Sequence, residues 1–193
     1  MEITEINDRI IKQEGPALLF HKVRGSSFPL AINLFGSTRR MNLALGVNDL
    51  SEVAKKIESF LDVKVPEKIT HKLKLLPKLH LLSKIPPKMV REAPCQEVVR
   101  REGDLLAELP ILQCWPGDAG RFITYGMVLT HHPRTRRRNL GLYRLQVFDK
   151  DQTGMHWQSM KGGRGHYWEA EREGKDLEVA VVIGADPILM MAA

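Results

Sequence analysis

No stretch of this 193-residue chain approaches an uninterrupted apolar run of membrane-spanning length, so no transmembrane helix is expected. The opening, MEITEINDRIIKQ, is charged and lacks the apolar core of a secretory signal. Cysteine is scarce. Cys95 and Cys114 match no metal-ligand spacing, and without an export signal two reduced thiols in the cytoplasm are expected rather than a disulfide. Aromatic residues are also few, with six Phe, three Trp and three Tyr, and none is interleaved with lysines as a nucleic-acid stacking platform requires. Acidic residues are missing from one long stretch. Between Ala119 and Phe148 there is no Asp or Glu, while Arg121, Arg134, Arg136, Arg137, Arg138 and Arg144 are all present. Such a stretch makes a positive field that attracts an anion.

The net charge of +6 has a second concentration. From Pro66 to Glu92 six lysines and one arginine stand against two glutamates, a local balance of +5. Prolines at 66, 77, 86, 87 and 94 break this segment into short Leu-Lys pieces, which read as a basic connector. Its alternative readings are a membrane-surface segment or an RNA contact.

Short apolar runs at PALLFHKV and FPLAINLF read as strands, and residues 50–61 as an amphipathic helix with Asp49 and Glu52 resembling a capping box. Gly36-Ser37-Thr38-Arg39 lacks the spacing of a phosphate loop and reads as a strand-to-helix turn. Beyond Cys95 the character is β. FITYGMVLT, LGLYRLQVF and GMHWQ are strand-like, with a hairpin turn over 149–153, a helix ending over 169–173 near Gly174, and a strand over 178–183. Asp186 and Pro187 then announce a helix whose first turn is written just before the sequence stops, which reads as a truncation.

The chemistry-bearing residues cluster in RTRRRNLGLYR (Arg134–Arg144), where an arginine loop and Asn-x-Gly precede a strand with a lone Arg. Glycine lets backbone approach a ligand, and arginine offers a planar fork to phosphate or carboxylate. Lys161-Gly162-Gly163-Arg164-Gly165 reads as a flexible cationic loop, a weak phosphate signal matching no Walker motif. His131 and His132 are adjacent and would point apart on a strand, and His156 and His166 have no zinc-like partners. No Ser-His-Asp or Cys-His arrangement is recognisable.

Taken together, GPALLFHKVRGSSFPLAINLFGSTRRMNLALG, ILQCWPGDAGRFIT, NLGLYRLQVFD, TGMHWQSMKGG and VAVVIGADP resemble, in order and spacing, the N-terminal portion of the UbiD family of prenylated-FMN-dependent decarboxylases. The resemblance implies an α+β architecture. Residues 1–94 would be an N-terminal α/β domain with the basic connector (66–94), and 95–193 the first part of a split β-barrel flavin-binding domain. It implies reversible non-oxidative decarboxylation of an aromatic or α,β-unsaturated carboxylic acid, with prenylated FMN, a divalent metal such as Mn²⁺, and K⁺ as a further ion. By matching motif, Leu142, Tyr143, Arg144, His156, Trp157, Gln158, Lys161 and Gly162 would contact the cofactor. Asn139 would ligate the metal, and Arg144 would also act on the substrate carboxylate. Lys161 stands where the family carries arginine, keeping the charge but losing the bidentate fork. Because Asn139 and Arg144 lie an odd number of residues apart on one strand, a twist or bulge at Gly141 is needed if both are to reach one cofactor.

The bland alternatives are a turn role for Asn139, an ion pair for Arg144, and core packing for Tyr143 and Trp157. The resemblance further implies a cytoplasmic homo-oligomer without nucleic acid, needing further polypeptide or a partner chain for its catalytic acids. Alone it is expected to be inactive. Two other functions are a non-catalytic flavin-binding or assembly subunit, and a basic nucleic-acid-binding module using 66–92 and Arg134–Arg138.

Overall fold

A computed structural model describes residues 2–61, 80 and 86–193. The chain forms two compact units, one from Met1–Gly46 with Glu102–Ala193 and one from Val47–Arg101. Most of the basic connector, at 66–79 and 81–85, lies outside the described residues.

The first unit opens with helix α1 (Glu2–Lys12), which the sequence reading left without structure. Glu2 and Glu5 sit in its first turn and Arg9 and Lys12 in its last, the charge order that suits the helix dipole. Strands β1 (Leu18–Phe20) and β2 (Leu30–Ile32) then pair antiparallel, with Leu18 opposite Ile32. Asn33 holds the preceding segment, its Nδ2 donating to the carbonyls of Gly15 at 3.1 Å and Pro16 at 2.9 Å. Gly36–Arg39 is the start of helix α2 (Thr38–Leu45), as read: Ser37 is the N-cap, its side chain accepting from the Arg40 amide. Gly46 closes the helix in the left-handed region at φ 63°.

In the second unit helix α3 (Leu50–Leu61) falls where its periodicity put it. The cap is skewed relative to a capping box. Asp49 accepts from the Ser51 amide at 2.8 Å, while Glu52 reaches back to the amide of Asn48. A single 3₁₀ turn spans Pro94–Gln96.

The remaining elements belong to the first unit. Helix α4 (Leu105–Glu108) is capped by Asp104, and its end is tied to the β1–β2 loop by a 2.6 Å bond from the Ser26 hydroxyl to the Glu108 carbonyl. Strands β3 (Phe122–Ile123), β6 (Leu145–Val147) and β7 (Thr153–Met155) form one antiparallel sheet in the order β3-β6-β7. Strands β4 (Met127–His131), β5 (Arg138–Leu142) and β8 (Val179–Val182) form another, with β4 central. Helix α5 (Gly162–Arg172) packs on β4 and β5. Helix α6 (Pro187–Ala192) closes the chain, with Asp186 as N-cap and Pro187 in its first turn. Helices and small antiparallel sheets make the α+β architecture expected, and among the described residues no sheet closes into a barrel.

Two strands read as continuous are each divided between the two sheets. FITYGMVLT breaks over Thr124–Gly126, and LGLYRLQVF breaks at Tyr143–Arg144. The first break needs Gly126, where an added Cβ would lie 3.1 Å from both Ile123 and Val181 side-chain atoms. The core fills the crossing. Val128 is 0% exposed, and Ile123, Tyr143 and Leu145 are buried with it, with Ile111, Met155 and Trp157 packed alongside. Lys161–Gly165 is also corrected: Lys161 stands at the N-cap position of α5 and the four residues after it form the helix's first turn, so this segment is not a flexible loop.

Candidate functional site

The break at Tyr143–Arg144 builds the site. β5 stays in ladder register with β4 as far as Leu142, paired with Met127, and β6 begins with Leu145, paired with Met155. The Arg144 carbonyl accepts from the His156 amide at 2.9 Å, so the bend is held against the end of β7. Residues 142–144 are thereby laid beside 156–158. The register change that Asn139 and Arg144 required occurs at this break, two residues beyond Gly141, which itself stays paired with Val128. β7 ends at Met155, so His156, Trp157 and Gln158 follow the strand and do not lie within it.

Leu142, Tyr143, Arg144, His156, Gln158 and Lys161 line one cavity of about 300 Å³. All six were picked out by motif. The other three residues so picked do not line it. Trp157 packs behind, edge-on to Tyr143 at 5.2 Å and stacked on Tyr167 at 5.6 Å. Gly162 and Asn139 stand together at the start of α5: a Cβ on Gly162 would overlap the Asn139 carboxamide oxygen.

Lys161 is the cation at this end. Its ammonium donates to the Leu142 carbonyl at 2.7 Å and lies 5.0 Å from the Tyr143 ring centroid. An ammonium carries three donors, so capacity for an anion remains. The first turn of α5 adds the positive end of an eleven-residue helix. Gly163 is required there, since a Cβ would sit 2.6 Å from the Tyr143 hydroxyl and 2.9 Å from Trp157. These glycines give close approach of helix to strand, and flexibility is not their purpose. The arrangement fits a phosphate.

The fit to a metal is incomplete. Asn139 supplies one hard oxygen donor, and a divalent cation needs several. Among the described residues no group of three or more His, Cys, Asp or Glu is arranged to hold a metal.

Arg144 differs from Lys161 in having no polar anchor for its side chain among the described residues. Its guanidinium lies 5.0 Å over the Phe122 ring, and among the described residues it forms no ion pair. A guanidinium stacked on one face keeps its edge donors for an incoming carboxylate. Arg134, by contrast, is withdrawn from the anion-attracting field read in the sequence. It pairs with Glu169 and, at 2.6 Å, with Glu173, because the later turns of α5 bring both carboxylates to it. Hydrogen bonds from Lys175 and then Arg134 hold the Glu173 carboxyl below its ordinary range.

Sequence reasoning weighed His166 only as a zinc ligand and gave it no other role. On α5 it is buried with Gly163 and Ala170, and its Nδ1 is hydrogen-bonded at 2.9 Å to the hydroxyl of Thr130, itself 0% exposed. Burial first, and then His132, His131 and Arg137, push its pKa below the ordinary 6.5. The signal was available only as helix spacing: positions 163, 166 and 170 share one face. Phe122 beneath Arg144 had no such signal.

The family whose description is the 3-octaprenyl-4-hydroxybenzoate carboxy-lyase matches twice, its N-terminal domain over residues 1–59 and its Rift-related domain over 88–193. The chain belongs to this UbiD family. An uncharacterized protein of Aquifex aeolicus is 46% identical over 195 residues, and one of Archaeoglobus fulgidus is 44% identical over 194. Each match takes in 100% of this chain, which spans 40% of the length of either curated relative. Among solved structures, an evolved dimeric form of the UbiD-class enzyme HmfF from Pelotomaculum thermopropionicum, in complex with prFMN, superposes with a TM-score of 0.75 at 27% identity, covering 97% of this chain and 39% of that one. The vanillic acid decarboxylase of Sedimentibacter hydroxybenzoicus in its closed form gives 0.76 at 25% identity, covering 98% and 38%.

Proposed function

We propose that this chain carries the flavin-holding and substrate-orienting part of a prenylated-FMN-dependent decarboxylase, acting reversibly on an aromatic or α,β-unsaturated carboxylic acid. The observation that carries the reading is one cavity bounded by Leu142, Tyr143, Arg144, His156, Gln158 and Lys161. Its two cationic side chains are differently placed: Lys161 beside the helix start, and Arg144 at the break between strands.

In this reading Lys161 and the first turn of α5 receive the cofactor phosphate, which carries about two negative charges near neutral pH. The backbone and ring of Tyr143, with Leu142, His156 and Gln158, face the flavin, and Trp157 backs them. Gly162 lets the helix start close up on Asn139. Asn139 contributes one ligand to a Mn²⁺ or Mg²⁺ at that phosphate, the rest coming from elsewhere in the protein. K⁺ has no identifiable ligand set among these residues.

Prenylated FMN, when bound, supplies the electron sink into which the bond to carbon dioxide breaks. Arg144 does the rest of what this chain can do at the substrate. Its free edge holds the carboxylate in a fixed orientation, and its charge favours the ionised form of a neighbouring acid. The homo-oligomer and the cytoplasmic location belong to the same reading, as does the opening of a split β-barrel by residues 95–193.

One observation favours a second reading, a flavin-binding or assembly subunit working beside another chain. Among the described residues the cavity lining contains no carboxylate, so a carboxylic acid beside the substrate is not one of its groups. The two readings part on one experiment. The protein is purified from its own cells with its flavin, and decarboxylation of a panel of aromatic and acrylic acids is followed for wild type and Arg144→Ala. Turnover lost in Arg144→Ala supports the enzyme. Turnover that requires a co-purifying chain and persists in Arg144→Ala supports the subunit.

A further inference from the structure

Tyr143 lines the cavity and is also tied to α5 through its hydroxyl. The side chain is buried, with the residue 4% exposed, and the oxygen sits at the start of α5. There it accepts from the Gly163 amide at 2.8 Å and from the Asn139 Nδ2 at 3.3 Å. Lys161, the residue in N-cap position, makes no side-chain cap, so the phenol oxygen takes the place a cap side chain would fill. Over the same ring, 5.0 Å from its centroid, stands the Lys161 ammonium.

One side chain thus fixes three things. It joins the helix start to β5, turns the amide of Asn139 so that its oxygen faces Gly162, and gives the Lys161 ammonium an aromatic face to rest on. We infer that Tyr143 is a positioning residue, whose hydroxyl acts through Gly163, Asn139 and Lys161 on the phosphate end of a bound flavin without touching the phosphate. The inference rests on the proposed flavin site and adds to it a residue that governs one end of the ligand alone.

Geometry also says which change isolates this role. Tyr143→Phe keeps the ring against Trp157 and under Lys161, and removes only the oxygen. Gly163 and Asn139 are then left with unpaired donors, and the helix start loses its fixed distance from β5.

The test compares FMN with riboflavin, which shares the isoalloxazine and ribityl chain but lacks the phosphate. Dissociation constants for both are measured by flavin-fluorescence titration of the complete protein, for wild type, Lys161→Met and Tyr143→Phe. Tyr143→Phe should weaken FMN roughly three- to tenfold, the effect of losing one hydrogen-bonded support, and leave riboflavin within experimental error. Lys161→Met should show the same selectivity by direct loss of charge. Equal weakening of FMN and riboflavin in Tyr143→Phe would make Tyr143 a merely structural residue and overturn the inference, as would no change in either. If instead Lys161→Met leaves the preference for FMN intact, the phosphate does not lie at this end. The proposed site and the inference then fall together.

Discussion

The carboxamide oxygen of Asn139, on β5, lies directly against the α-carbon of Gly162, the first residue of α5, with no room for a β-carbon between them. Gly162→Ala therefore pushes the helix start away from the strand. The variant should unfold about 1–3 kcal/mol more easily, the usual range for overpacking a close contact. The urea midpoint at constant m-value checks it, and flavin content after desalting should fall in parallel.

Asn139→Ala removes the oxygen donor but leaves the Tyr143 hydroxyl its bond from the Gly163 amide, so folding should suffer little. Flavin and metal should be lost together on desalting, because a missing ligand loosens the metal that the phosphate shares. Metal analysis and flavin absorbance per protein measure both. Full retention of the two would remove Asn139 from the site.

His166 contributes a pH dependence of its own. Its folded pKa lies below the ordinary 6.5, so the unfolded chain takes up a proton before the folded chain does. Folding stability is then unaffected by this group well above 6.5 and declines as pH falls below it, levelling off under the folded value. The neighbouring His131, His132 and Arg137 oppose protonation in the same sense. Urea midpoints between pH 8 and 5 should decline less steeply in His166→Gln. Thr130→Val, which strands a buried ring nitrogen, should cost about 1–3 kcal/mol at pH 8.

Much of this site was legible because short motifs hold residues that are near in sequence and near in space. NLGLYR and MHWQSMKGG each bring a consecutive stretch to the cavity, so six lining residues could be named one by one. Four things were not legible. The breaks at Thr124–Gly126 and Tyr143–Arg144 come from two sheets competing for one strand, and a strand's local propensity does not record which sheet it will join. The glycines at 162 and 163 suggested looseness, since their demand for close packing becomes visible only when Asn139 and Tyr143 are opposite. Arg134 looked like part of an anion field, and its carboxylate partners lie thirty-five and thirty-nine positions away. α1 was missed for a different reason: its charged residues hid an amphipathic pattern completed by internal ion pairs, Arg9 with Glu5 and Lys12 with Asp8.

Arg144→Ala separates binding from chemistry. The guanidinium rests on Phe122 and holds no structural acid, so its removal should leave the fold and most of the flavin in place. Decarboxylation should drop by about 10²–10³-fold, the loss typical when one donor to the reacting group's charge is removed. Flavin absorbance and carbon dioxide release, measured on one preparation, give both numbers.

On the proposed reading, the break between β5 and β6, facing the segment after β7, forms the flavin site. A crystal structure of the complete protein with FMN tests it most directly. The ring system should lie against Leu142–Arg144 and His156–Gln158, with the phosphate within hydrogen-bonding distance of the Lys161 ammonium. FMN bound elsewhere, or bound here with its phosphate remote from Lys161 and the start of α5, would contradict it.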